Sequence, residues 1–242
     1  MNKLPKEYLD DILVRMAHHS SAIEGNTISL PETISIILHN KVVSDRSLDL
    51  REIYEVKNHE QAFEYVLAEL NSEAPLSIYI IKEIHALLTD RLQYDKGWFK
   101  SSDNAIKGSD FLTASAKETP LLMQQWVDNL NYRLDSTTNQ QEKIEIISES
   151  HITFERIHPF SDGNGRTGRM LINYSLMQHG FAPLVIDKND RAEYIAYLSG
   201  QNINKLSKFI KNNIDLEQDR IERFKNSEKQ KVQKGDLTKD KN

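Results

Sequence analysis

Twelve consecutive residues, HPFSDGNGRTGR at positions 158–169, hold one histidine, one aspartate, one asparagine, two arginines and three of the chain's nine glycines. Glycine weakens regular structure and is favoured where the backbone must turn sharply or approach a ligand. The segment before it, EKIEIISESHITFERI, has the apolar spacing of a helix, and RTGRMLINYSLMQH after it reads as a second helix closed by Gly180. The stretch therefore joins two helices. A helix start presents unpaired N–H groups and a partial positive charge, and Gly163 and Gly165 let an anion reach them unobstructed. Arg166 and Arg169, three residues apart, share a helix face and add two guanidinium forks to the same anion. Asp162 supplies one hard oxygen ligand, suited to a magnesium ion completed by water and phosphate oxygens. His158, just outside the loop, can accept a proton from an incoming hydroxyl. Together these parts suggest attack of a hydroxyl on a metal-bound nucleotide phosphate. The spacing is neither that of a Walker loop nor that of a dinucleotide fingerprint.

The stretch matches HxFx(D/E)GNGRxxR, the Fic family signature, at every fixed position, and the resemblance extends from the first predicted helix to about Ile210. RAEYIAYL and LSKFI are similar to the helices that close the family's nucleotide pocket. The resemblance implies an all-α Fic fold that transfers AMP from ATP to a Tyr, Ser or Thr hydroxyl of a target protein, and of the chain itself. It implies that His158 is the base, that Asp162 holds magnesium between the α- and β-phosphates, and that Asn164 helps orient the α-phosphate. Gly163 and Gly165 would form the anion cradle, Arg166 would contact the phosphates, Arg169 would hold the γ-phosphate, and Phe160 would anchor the loop. The related Doc kinases carry a lysine in this loop and transfer the γ-phosphate instead; GNGR here favours AMP transfer.

A second motif lies near the start, where HHSSAIEGN places Ser20 and Glu24 one helical turn apart. A glutamate in the last turn of a helix faces the negative end of the helix dipole, so Glu24 calls for a cation opposite. SSAIEGN resembles the (S/T)xxxE(G/N) inhibitory motif of Fic proteins with an inhibitory N-terminal helix. The resemblance implies that Glu24 pairs with Arg169 and thereby excludes the γ-phosphate. It also implies that such a glutamate can align a water for removal of AMP.

The elements that must position these residues are read from the spacing. Apolar residues recur at three and four positions almost throughout, which predicts an all-α fold. Helices are expected over 5–24 and from after Ser29 to Asn40, then from N-caps at Ser47 and Ser77 to near Leu70 and Leu92. Others are expected over 119–134, 140–157, 166–178, 189–199 and 203–225. The exception is 97–116, where glycine, serine and aspartate bracket short runs suited to a small β-hairpin flap. Its candidate target-docking edge is Ile106, Lys107, Gly108, Ser109, Asp110, Phe111 and Leu112, which could pair with a target by main-chain hydrogen bonds. ASAKETP after the flap departs from the family's frequent double proline. Tyr194 and Tyr197 suit either the base and ribose pocket or helix packing, and Trp98 and Trp126 read as core or flap anchors.

The expected organisation is an N-terminal region with the inhibitory helix, 1–45, a Fic catalytic domain, 46–225, and a lysine-rich disordered tail, 226–242. With no cysteine, disulfides and thiolate metal sites are excluded, and with no apolar leader or membrane-length segment the expected compartment is the cytoplasm, away from membranes. A formal charge of -5 disfavours nucleic acid as the main partner. The other histidines lack transition-metal spacing. Three readings stay open beside AMP transfer: removal of AMP, use of another phosphate donor, and nucleotide sensing without catalysis. Self-association is left open too.

Overall fold

The computed structural model describes residues 4–106 and 111–239. Their helices are α1 (Lys6–Ile23), α2 (Leu30–His39), α3 (Leu50–Asn71), α4 (Ile78–Leu88), α5 (Thr119–Asp135), α6 (Gln140–Ile157), α7 (Asn164–Gln178), α8 (Arg191–Ser199) and α9 (Ile203–Lys239). A single 3-10 turn, Lys188–Asp190, leads into α8. The expected all-α fold is present, and among the described residues none is in a strand. The predicted hairpin falls partly on residues 107–110, outside the described ones; its flanks at 103–106 and 112–115 are irregular chain rather than strand.

Helix α7 lies at the centre. Every residue from Arg166 to Met177 is buried, as expected of a helix surrounded by neighbours, here α1, α3, α4 and α6. Its two arginines thus enter the interior and need anionic partners there. Helix α1 belongs to the same core: Tyr8, Ile12, Ala17 and Ile23 are buried with residues from as far along the chain as Ile221. Two ion pairs also fasten α1 to α9, Arg15 to Glu217 at 2.6 Å and Arg220 to Asp11 at 2.5 Å. The candidate inhibitory motif is therefore carried on a firmly seated helix.

Several boundaries differ from the expectation for local reasons. Asp49, not Ser47, caps α3 by accepting from Arg51 N at 2.8 Å. Helix α4 starts on Ser77 as expected but stops at Leu88, short of Leu92. There Thr89 Oγ1 donates to His85 O, and Asn58 Nδ2 donates to Leu88 O and Asp90 O, so the carbonyls that would continue the helix are already answered. Helix α9 continues past residue 225 to Lys239, with Lys231 paired to Glu7 of α1 at 2.7 Å. Trp126 is in the core and donates to Ser150 O, whereas Trp98 is exposed beside Lys82. Among the described residues no helix is long and apolar enough to cross a membrane.

Four histidines are buried, His158 is half-buried, and all five are held neutral: loss of solvent pushes His18, His85 and His158 down to about 4, and His59 and His151 down to about 3. Each is lower in the folded chain than the ordinary 6.5, so below that pH the unfolded chain takes up protons that the folded chain refuses. Glu155, pushed up to about 8 by burial, has the opposite slope and offsets about one of the five. Stability is therefore expected to fall as pH drops from about 6.5 toward 4, by at most about 1.4 kcal/mol per pH unit for each uncompensated histidine. Thermal melts at about pH 7 and about pH 5 should differ by several degrees; a flat profile would contradict the buried neutral set.

Candidate active site

The turn between α6 and α7 begins with His158, which ends α6 in the left-handed region at φ 51 and ψ 61 while its N–H donates to Phe154 O at 2.9 Å. Two residues on, Phe160 is fully buried and stacks on His85, ring centroids 3.7 Å apart. His85 also ties the loop down: Gly97 N donates to its Nδ1, which leaves Nε2 to donate to Asp162 O at 3.0 Å. The Asn164 amide closes the turn by accepting from Phe160 N and donating to Phe160 O. Each end of that amide makes one bond within the loop, leaving a second N–H and a second lone pair for the phosphate role expected of it. Gly163 caps α7 at φ 77, and a Cβ there would lie 2.7 Å from Thr89 Cγ2. Conformation and space both demand glycine.

Across the N-terminus of α7 lies Glu24, the residue that ends α1. Its Oε1 accepts from Arg169 Nη2 at 2.7 Å, while Ser20 takes two further donors of that guanidinium, Nε to Ser20 Oγ at 3.0 Å and Nη2 to Ser20 O at 2.9 Å. A Cβ on Gly165 would collide with the Glu24 carboxylate. The carboxylate therefore sits in the glycine-lined space at the first turn of α7, where an anion is best received. Crowding by the protein works against the charge, yet Arg169's charge and hydrogen bond hold the Glu24 carboxyl below its ordinary pKa. The pair is lopsided: the Arg169 side chain is 7% exposed, whereas 43% of Glu24's surface opens to the cleft. Arg166 is equally deep, and its Nε and Nη1 are buried without a hydrogen-bond partner. Two unanswered donors on one guanidinium mark a place for anionic oxygens.

The cleft beneath is lined by Glu24, Glu155, His158, Arg169, Tyr194 and the flap residue Phe111, among others. Burial lowers the His158 pKa to about 4, leaving the ring neutral and basic at physiological pH. Its Nδ1 is buried and reaches no partner in hydrogen-bond geometry, although the Glu155 carbonyl beneath counters the burial in part. Nε2 is then the nitrogen left to take a proton. Tyr194 is fully buried with its OH against His151 Nε2 at 2.7 Å, while Tyr197 packs on Phe209. Ile106 borders the cleft too, Phe111 lies over Arg156 at 4.0 Å, and Leu112 is exposed. Lys107, Gly108, Ser109 and Asp110 lie outside the described residues.

Asp162 is the acidic oxygen donor of the loop. Burial opposes its charge, but the Gly163 N–H and the charges of Arg166 and Arg51 keep its pKa below the ordinary value. Its side chain is 45% exposed, so an ionised carboxylate faces outward and fits a magnesium ion completed by water and phosphates. Among the described residues there is no cluster of three or more His, Cys, Asp or Glu able to hold a metal by themselves. Asp162 Oδ2 is shared with Arg51 Nη2 at 2.8 Å and Gln93 Nε2 at 2.9 Å. Neither residue was legible in the sequence, since each reaches the loop from another helix or turn. Glu155 was missed for the same reason; its one signal is Gly168, where a Cβ would strike the Glu155 carboxyl.

Comparison with known proteins gives a consistent result. A family profile described as the Fic/DOC family matches residues 75–176. Proteins named protein adenylyltransferase Fic are similar to this chain: that of Drosophila willistoni is 30% identical over 195 residues, covering 80% of this chain and 38% of the relative. That of Drosophila melanogaster is 31% identical over the same length and coverage. The chain thus spans about two fifths of the length of the curated relatives it matches, 38% in both cases. Among solved structures, a Fic domain containing signaling protein from Bacteroides thetaiotaomicron superposes with a TM-score of 0.77 at 25% identity, over 88% of each chain. Fic-1 from C. elegans gives a TM-score of 0.72 at 25% identity, over 95% of this chain and 68% of that one.

The shared Asp162 carboxylate generates a prediction. Arg51→Ala should tighten divalent-ion binding severalfold by removing a competing cation, measured by manganese titration in the presence of nucleotide. An unchanged affinity would show that Arg51 does not compete for this oxygen.

Proposed function

The chain belongs to the Fic/DOC family, and from that premise we propose that it is a protein adenylyltransferase, moving AMP from ATP to a side-chain hydroxyl of a target protein. The observation that carries the reading is a neutral, half-buried His158 facing one cleft with the glycine-lined start of α7 and the buried Arg169, backed by Arg166, whose unanswered donors lie within electrostatic reach of Asp162, Glu24 and Arg169. In the proposed step the acceptor oxygen attacks the α-phosphorus and gives its proton to His158 Nε2. The bond from the α-phosphorus to the bridging oxygen breaks, and pyrophosphate leaves. Asp162 would hold a magnesium ion, which supplies charge neutralisation on the phosphates. Arg166 takes phosphate oxygens through Nε and Nη1, and the first amides of α7 receive the remainder.

On this reading residues 1–45 inhibit the catalytic region 46–225 of the same chain. Glu24 occupies the space that the γ-phosphate needs and binds the arginine that would receive it, so a bound ATP meets both a missing cation and a like charge. Its triphosphate is then displaced from in-line geometry, which by itself can cost orders of magnitude in rate. Residue 226 onward is assigned no part in the chemistry.

The test is intact-mass measurement of the Glu24→Gly protein and candidate acceptors after incubation with ATP and magnesium. Addition of one AMP per acceptor hydroxyl is expected, and a phosphate adduct or none would refute the assignment. His158→Ala in that background should reduce transfer by about two to four orders of magnitude with ATP affinity nearly unchanged, because the phosphate ligands lie in 162–169. With the base near 4, the rate should hold steady from neutral pH down to about 5 and fall below, as protonation removes the acceptor nitrogen.

A further inference from the structure

Four successive main-chain carbonyls at the base-bearing turn are held from one side by the root of the flap. Lys100 Nζ donates to Ile157 O at 3.1 Å and Lys100 N to Pro159 O at 2.9 Å; Asn104 Nδ2 donates to His158 O at 3.3 Å and to Phe160 O at 2.8 Å. Two residues thus account for every carbonyl from 157 to 160. They are also joined to each other, since Lys100 Nζ donates to Asn104 Oδ1 at 2.7 Å and Thr113 Oγ1 donates to Asn104 O at 2.6 Å. Lys100 is only 4% exposed, an unusual setting for an ammonium, and burial lowers its pKa.

The turn they hold needs holding. His158 is a non-glycine residue in the left-handed region, a conformation that costs on the order of 1 kcal/mol and persists where surroundings over-determine it. A ring base is usually aimed by an acceptor on its other nitrogen, and for His158 that acceptor is the Glu155 carbonyl of α6, outside strict hydrogen-bond geometry at Nδ1. The aim of Nε2 therefore leans on the backbone of 155–160. Ile157 O belongs to the unpaired last turn of α6, and the Lys100 ammonium also meets the negative end of that helix.

We propose that Lys100 and Asn104 are positioning residues for the transfer step, fixing the base to the flap root so that His158 and the flap edges at Ile106 and Phe111 share one rigid frame. The proposal rests on the adenylyltransferase reading for its rate effect. The phosphate cradle has anchors of its own in His85 and the Asp162 contacts, and it meets the clamp at Phe160 O, which both Asn104 and Asn164 hold. Loosening the clamp should misplace the base without disturbing the nucleotide.

The experiment uses the full chain with Glu24→Gly, adding Lys100→Met, Asn104→Ala or Lys100→Arg, and reads kcat, ATP affinity and amide hydrogen exchange at 157–161. Lys100→Met and Asn104→Ala should each lower kcat by about tenfold to a hundredfold, leave the ATP Kd within about twofold, and speed exchange at 157–161. Lys100→Arg, which keeps a cationic donor, should recover most of the rate. The proposal is overturned if kcat is unchanged, or if kcat and ATP affinity fall together in step with the melting temperature. If the Glu24→Gly parent transfers no AMP, the functional reading fails; the exchange readout then decides the clamp alone, and unchanged protection at 157–161 rejects it.

Discussion

A guanidinium with 7% of its surface exposed must have its charge answered, and in this fold the answer to Arg169 comes from the far end of another helix. Glu24 and Ser20, one turn apart on α1, close around it across 145 residues of sequence. The rest of the architecture keeps that meeting in place. Helix α7 is buried along most of its length, so Arg169 meets solvent only at the cleft, and α1 is locked by its apolar face and by the Arg15–Glu217 and Arg220–Asp11 pairs. A glutamate at a helix C-terminus, disfavoured by its own dipole, is tolerated because a cation stands opposite.

The same contact explains the glycine at 165. An alanine there would strike the Glu24 carboxylate, so the glycine that lets a phosphate approach the helix start also lets a carboxylate occupy it. On the proposed reading one cradle would serve a substrate group and its internal substitute, each excluding the other. Inhibition of this kind needs no separate domain or large motion. It requires that Glu24 yield the cradle, and its 43% exposure on the cleft side is consistent with a side chain that can turn away while Arg169 stays buried.

The helices and the 158–169 loop were legible because their signals are local: 3.6-residue apolar spacing, caps such as Ser29 and Ser77, and glycines at a turn. The pairing of Glu24 with Arg169 was foreseen from a motif, and the unpaid dipole cost gave it a physical reason. What stayed hidden is tertiary. The bonds of the Asn164 amide to Phe160, which close the loop, were not foreseen, because they are set by how tightly the loop turns. Helix α4 ends early because Asn58, on a different helix, takes its carbonyl. Arg51, Gln93, Lys100 and Asn104 are ordinary polar residues in sequence, and their placement against Asp162 and the 157–160 carbonyls follows only from packing.

The central claim is that Glu24 restrains transfer chiefly by withholding Arg169 from the nucleotide. A double-mutant comparison of labelled-ATP transfer and ATP affinity across wild type, Glu24→Gly, Arg169→Ala and the combined variant tests it most directly. The account predicts that Glu24→Gly transfers at least about tenfold faster than wild type and that the combined variant loses most of that gain, because the freed guanidinium is what receives the γ-phosphate. Glu24→Gly that folds and binds ATP yet transfers no faster, or a combined variant that keeps the full gain, would contradict it.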